Sequence, residues 1–284
     1  MKKSRIVLLS VAAALVIVAA IVVSCQKENE VRNDNPQIEQ ATHELGCLML
    51  PTEKYMAIPL QDAPLSVLKA APTLLNLNVP PVGDQGGEGS CVAWGTTYAG
   101  RSINWQTSHP AAWSQSVNIF SPEFIYNQIK ASSSCESGAY VIDGLRFLVS
   151  DGAVPWSVMP YTDVSCSLMP TAAQEATAAT YKVASYSRIS ITATAIKAAL
   201  VSGKPVIVGG PVNRAYMYLA SGAVLKKYSG STLGGHCYCV VGYDDSKQAF
   251  KFMNSWGTSW ATSGFGYIGY SYVSKWFQEA YVLN

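Results

Sequence analysis

Ile6 to Val23 forms an apolar run broken only by Ser10, with Met1-Lys2-Lys3-Ser4-Arg5 ahead of it and the polar stretch Gln26 to Asp34 behind. A basic head, an apolar centre and an abrupt polar switch make an export signal. Residues 26–45 lack apolar periodicity and read as a tether. Between 46 and 72, Cys47-Leu48-Met49-Leu50 is apolar, and Pro51, Pro59, Pro64 and Pro72 interrupt the remainder. One helical piece fits there, Leu65 to Ala71. From Thr73 to the last residue the pattern is globular.

The pairs Trp94/Tyr98 and Ala99/Ile103 have helical spacing and predict a helix from Cys91 to about Gln106. Ser121-Pro122-Glu123 supplies a cap, a first-turn proline and an early acid for a helix through Ile129. A third helix is expected from Asp143 to Ser150, stopped at Gly152, and a fourth from Thr194 to Ser202, stopped at Gly203. Strand patterns then take over: Pro205–Gly209, Cys237–Tyr243, Ala249–Asn254 and Gly266–Tyr272, with Asp244-Asp245-Ser246-Lys247 as the turn between the middle two. Helices first and strands later predict an α+β domain with a helical half facing a β half.

Hydrophobic residues make up 49% of the chain and charged residues 13%, about half the ~25% of ordinary soluble domains. The net charge of +2 gives no basic excess for a phosphate backbone, so no nucleic-acid partner is expected. Seven cysteines are too few for a disulfide-dense scaffold of this length. The three histidines limit any imidazole chemistry to His43, His109 or His236.

Two patterns suggest cofactors and fail on context. Gly264-Phe265-Gly266-Tyr267-Ile268-Gly269 has dinucleotide-loop spacing, but a turn precedes it and strand residues follow, where that motif needs a strand and then a helix. His236-Cys237-Tyr238-Cys239 contains ligand-type residues, yet on a strand the two cysteines share one face and His236 takes the other. No metal and no organic cofactor are expected.

The stretch Pro81 to Trp94 carries the chemistry. A glycine-rich loop delivers Cys91 to the first turn of an amphipathic helix, where unpaired amides and the helix dipole favour an anion. That position should lower the thiol pKa toward thiolate. A thiolate nucleophile needs a base, and His236, following the flexible Ser231 to Gly235, is the candidate. The hairpin from Val240 through the Asp244–Lys247 turn to Phe252 returns Asn254 to its neighbourhood, with Trp256 to cover the contact.

These residues together resemble the papain-like cysteine peptidases, from about Val79 to Asn284. The family's Gln-Gly-x-x-Gly-Ser-Cys stands as Gln85 to Cys91, Gly-His before an apolar strand ending Val-Gly-Tyr as Gly235 to Tyr243, and Asn-Ser-Trp-Gly-x-x-Trp as Asn254 to Trp260. Cys135-Glu136-Ser137-Gly138 is similar to the family's Cys-x-Gly-Gly, and Met159-Pro160-Tyr161 follows. The resemblance implies a two-lobed fold, a helical lobe beside a sheet or barrel lobe. It implies Cys91 as nucleophile, His236 as base, Asn254 as its orienting partner and Gln85 as oxyanion donor. Gly138, with Ser137 in place of the first glycine, would bind an extended peptide or protein substrate by its backbone.

The chain departs from the family in several places. Glu88 stands where a cysteine is usual, which removes the ordinary partner of Cys135 and leaves the pairing of Cys47, Cys135 and Cys166 open. A Cys135–Cys166 bond is one expectation, since both lie in the helical half and an exported protein meets an oxidising compartment. Val92 replaces the usual aromatic, and no long helical pro-domain precedes the catalytic part. Val22-Val23-Ser24-Cys25 resembles a bacterial lipobox, which implies acylation at Cys25 and a lipid anchor in the cell envelope, at the outer membrane and facing outward if the following acidic stretch is a surface signal. The resulting organisation is a signal peptide at 1–24, a lipid-anchored tether and short extension at 25–72, with a pro-segment as an open role for it, and a monomeric peptidase domain at 73–284. Other uses of the same fold remain open: a catalytically silent peptide-binding lipoprotein, or a non-proteolytic amide hydrolase or transpeptidase.

Overall fold

The computed structural model describes residues 43–284, so the signal sequence and Cys25 lie outside the described residues. Ten strands are used below: β1 (Cys47–Leu48), β2 (Leu74–Asn76), β3 (Ala139–Tyr140), β4 (Tyr186–Arg188), β5 (Val206–Asn213), β6 (Val224–Leu225), β7 (Thr232–Asp244), β8 (Ala249–Met253), β9 (Phe265–Gly269) and β10 (Glu279–Leu283). Eight of them form one sheet in the order β4-β10-β5-β7-β8-β9-β6, with β2 added on β7. The remaining two, β1 and β3, pair in parallel.

Strand β7 separates two cores. Cys237, Cys239 and Val241 enter a core shared with the helices, whereas Tyr238, Val240 and Tyr243 enter the β-lobe core with Phe250, Phe252, Trp256 and Trp276. The two-residue alternation of a strand puts apolar side chains on both faces, which is why β7 reads as a continuous apolar run.

Helix α1 spans Thr52–Met56. Helix α2 begins as α at Cys91–Ala93, widens to π over Trp94–Arg101 and returns to α at Ser102–Ser108. A Cβ on Gly95 would fall 2.6 Å from the Cys237 sulfur, and one on Gly100 would fall 2.7 Å from Ile207. Two glycines therefore let α2 press directly on β5 and β7, and this contact sets Cys91 beside the start of the long strand.

Helices α3 (Pro122–Ile129), α4 (Val141–Ser150) and α5 (Ala172–Ala178) complete the helical layer, whereas α6 (Ala193–Val201) buries Ile196, Ala199 and Leu200 in the β-lobe core. Ser121 caps α3 by accepting from the Phe124 amide, and Thr192 caps α6 by accepting from Ala195. Gly152 and Gly203 take positive φ after α4 and α6, as their stop positions require.

Three expectations change. Leu65–Ala70 is a 3-10 turn, because the flanking prolines leave room for nothing longer. The strand expected to run to Tyr272 ends at Gly269, and Tyr270–Tyr272 coils into a short helix Val273–Trp276 that buries Trp276. Residues 43–72 pack on the domain. The Ala280 amide donates to Tyr55 Oη at 3.2 Å, Gln61 N donates to Arg188 O at 3.0 Å, and Ser190 Oγ donates to Asp62 at 2.6 Å.

Candidate functional site

The loop before Cys91 is held from both ends. Gln85 N donates to Ser255 O at 2.8 Å and Gly257 N to Gly83 O at 3.0 Å, tying the loop to the segment after β8. Gly86 takes φ 58°, the left-handed turn that sends the chain back toward α2. The Gln85 side chain is fully buried; its Oε1 accepts from Ser255 Oγ at 2.7 Å and its Nε2 donates to Glu88 O at 2.8 Å. Ser255 was not singled out from the sequence. Its place between Asn254 and Trp256 was the available signal.

Cys91 is buried at the first turn of α2, where the backbone of Cys237, the residue after His236, favours its thiolate. His236 lies on β7 opposite Gly210 of β5. The β7–β8 register pairs Cys239 with Met253, so Asn254 leaves β8 beside His236. His236 Nε2 and Asn254 Oδ1 are 2.7 Å apart. An amide oxygen accepts only, so Nε2 carries the hydrogen and Nδ1 is left with a lone pair and no partner. Trp256 stacks on the imidazole with ring centres 4.5 Å apart, and Tyr216 meets the edges of both rings.

Of the other histidines, His109 is remote and His43 borders the site. His109 is exposed, with Nδ1 2.9 Å from Ser108 Oγ and its ring stacked on Trp105. His43 stacks on Trp256 at 4.8 Å.

His43 begins a segment that lies over this constellation. Glu44 O accepts from Gln85 Nε2 at 3.1 Å, and Gly46 O accepts from the Ala139 amide at 2.8 Å. β1 then runs parallel to β3, Cys47 opposite Ala139 and Leu48 opposite Tyr140. Leu50 N donates to the buried Glu279 carboxylate at 2.6 Å. Glycines on both walls make the passage possible. A side chain on Gly138 would strike the Gly46 carbonyl, and one on Gly235 would strike the Cys47 carbonyl. Gly138 faces an extended segment of the chain itself, and the donor to that segment is the Ala139 amide. Ser137 is engaged inside the lobe: its amide donates to Ser134 O and its carbonyl accepts from Tyr126 Oη.

Burial reverses the expected thiol ionisation. Burial pushes Cys91 up to about 11, outweighing the amides that favour the thiolate. Burial also lowers His236 to about 4, against the opposing pull of Asn254. Both groups are neutral beneath the segment. Alkylation of Cys91 by iodoacetamide in the full chain should therefore climb about tenfold per pH unit from neutrality toward pH 11. A rate already on its plateau at neutral pH would contradict the covered state.

Cys135 and Cys166 are disulfide-bonded, the pairing expected once Glu88 displaced the usual partner. Cys47, Cys91, Cys237 and Cys239 are free and buried.

Comparison with known proteins gives concordant matches. Residues 73–277 match the family described as papain family cysteine protease. A peptidase C1-like protein of Acanthamoeba polyphaga mimivirus is 28% identical over 208 residues, covering 67% of this chain and 65% of that protein. The cathepsin B-like protein CP3 of Giardia intestinalis is 28% identical, covering 66% of this chain and 63% of its own. The chain thus spans slightly under two thirds of the length of these relatives. The crystal structure of xylellain, a cysteine protease from Xylella fastidiosa, superposes with a TM-score of 0.71 at 25% identity, covering 86% of this chain and 96% of that one.

Proposed function

The chain belongs to the papain family of cysteine proteases, and from that premise we propose that it hydrolyses peptide bonds through Cys91, His236, Asn254 and Gln85. The observation that carries the reading is the 2.7 Å contact of His236 Nε2 with Asn254 Oδ1, which fixes the tautomer and frees Nδ1 as a base. With the cleft open, Nδ1 takes the Cys91 proton and the thiolate attacks the substrate carbonyl. Gln85 Nε2 and the Cys91 amide hold the oxyanion. His236 passes its proton to the leaving amine, which departs and leaves a thioester on Cys91. Water, deprotonated by the same nitrogen, then cleaves the thioester and restores the thiol. Trp256 keeps solvent from the imidazole–amide bond.

Residues 43–50 act as a built-in block in this reading. Glu44 O engages the Gln85 donor, and β1 takes the backbone positions on Ala139 that an extended substrate needs. Activity then requires cleavage or displacement of this segment. An export signal and acylation at Cys25 complete the proposal. They would hold the enzyme on the bacterial envelope as a lipid-anchored monomer acting on peptide or protein substrates, with no cofactor.

The test is turnover of a peptide-amide reporter after the segment is released. Gln85→Ala should lower kcat by about 10²–10³-fold, the range for loss of one oxyanion donor. Ser255→Ala should lower kcat by about tenfold with little change in KM, because it only unpins Gln85. No turnover by the released wild-type chain would overturn the assignment.

A further inference from the structure

The loop that carries Gln85 also carries Glu88, and this side chain has no role in the chemistry above. It is only 1% exposed. One oxygen, Oε2, lies 3.1 Å from Tyr161 Oη, and the other, Oε1, has no hydrogen-bond partner. Tyr161 Oη is also 2.7 Å from Ser90 Oγ and 2.8 Å from Gln85 O. A phenol has one hydrogen, and the Gln85 carbonyl can only accept, so the Tyr161 hydrogen goes to Gln85 O. Ser90 can turn its own hydroxyl to donate to Tyr161. The Glu88 contact is then a hydrogen bond only if Glu88 supplies the hydrogen, which a carboxylate cannot do. Ionised, Glu88 would compete with Gln85 O for one hydrogen, and its Oε1 would be a buried charge without a partner.

The surroundings agree with this proton count. Cys135 and Cys166, bonded to each other, lie within 4.8 Å of a Glu88 oxygen and have no hydrogen to offer it. Glu123 and Tyr126 face the carboxyl from α3, and Asp163 faces it from the segment after Tyr161. Lys130 is the neighbouring base, and its ammonium donates to the carbonyls of Asn127 and Cys166 at 2.9 and 2.8 Å. Burial, and after it the charge of Glu123, raise the Glu88 carboxyl to about 7, against the pull of its ionised form on the Tyr161 hydroxyl.

We propose that Glu88 is a positioning residue: as a neutral acid it donates to Tyr161, and Tyr161 in turn clamps the carbonyl of Gln85, the oxyanion donor of the peptidase reading on which this rests. Gln85 is thereby pinned at its carbonyl as well as at its amide and side chain. Above about pH 7 the carboxyl proton passes to solvent and the Tyr161 hydrogen turns to the new carboxylate, so Gln85 O loses its donor.

The first test is infrared difference spectroscopy of the full chain, wild type against Glu88→Gln. The expected result is the carbonyl band of a protonated carboxyl that is present below pH 7, fades above it and is missing from Glu88→Gln. No such band on the acid side would overturn the proposal. The second test is the kcat profile across about pH 5–9 of the chain released from its block. Wild type should show a one-proton fall of about tenfold on the alkaline side with KM little changed, because only the oxyanion donor is loosened. Glu88→Gln keeps a donor at every pH and should lose this step. Tyr161→Phe breaks the relay, so its kcat should stay at the low level throughout while the infrared band persists. A purely structural role for Glu88 would lower kcat without moving the profile. An alkaline step that survives in Glu88→Gln would therefore overturn the proposal. An inactive released wild type would defeat the peptidase reading and with it the role at Gln85, even with the infrared band in place.

Discussion

Cys91→Ala and His236→Ala should each bring peptide hydrolysis by the released chain down by roughly 10⁶-fold in kcat, to the level left by binding and the oxyanion donors. In the proposed mechanism the two groups form one unit, since thiolate formation needs the proton to move to His236, and Asn254 only holds the ring. Asn254→Ala should therefore lose about 10⁴-fold and still allow alkylation of Cys91. Combining it with Cys91→Ala should cost nothing beyond Cys91→Ala, because a hydrogen bond that orients a base is worthless once the nucleophile is gone. Trp256→Ala should resemble a milder Asn254 loss, through water reaching the same bond. The histidines supply the control. His109 is stacked on Trp105 in the exposed turn after α2, so His109→Ala should leave turnover unchanged. Steady-state kinetics on each variant decides it. A harmless His236→Ala beside a lethal His43→Ala or His109→Ala would reassign the base.

Gly46→Val should activate the full chain, raising reporter turnover about 10²–10³-fold without any cut. The side chain would run into the Gly89 carbonyl at the point where the Gly46 carbonyl accepts from Ala139, so the segment loses its seat in the cleft. A tethered block acts at an effective concentration of the order of ~1 mM. Weakening it by about 3–4 kcal/mol converts a rarely open site into a mostly open one. The same variant should move Cys91 alkylation toward neutral pH, because uncovering the thiol removes the burial that holds it near 11. Combining Gly46→Val with Cys91→Ala should leave the protein inactive. No gain from Gly46→Val would mean that residues 43–50 do not limit access.

Local pattern made Cys91, His236 and Asn254 legible. A glycine loop before an amphipathic helix and a two-strand hairpin with a polar turn are short-range signals, and the β7–β8 register follows from them. Ser121 marked the start of α3, and Gly152 and Gly203 marked the stops of α4 and α6. The cover over the site had no such signal. Cys47-Leu48 is a two-residue strand whose partner, Ala139-Tyr140, is far along the chain, and their pairing depends on missing side chains at Gly46, Gly138 and Gly235. The Cys91 thiol runs against its helix terminus because burial, which depends on residues far along the chain, outweighs the local amides. Within the π stretch of α2, Gly95 and Gly100 pack against Cys237 and Ile207 on distant strands, contacts that local pattern does not reveal. Strand β10 was missed because Glu279 opens it, although Ala280 to Leu283 are buried along their full length.

The most direct test of a latent thiol peptidase is labelling with an epoxysuccinyl inhibitor, followed by peptide mapping, in the wild-type full chain and in Gly46→Val. One inhibitor per chain is expected, on Cys91, with labelling of Gly46→Val faster by about 10²-fold or more. Label on any other cysteine, or equal rates in the two proteins, would contradict it.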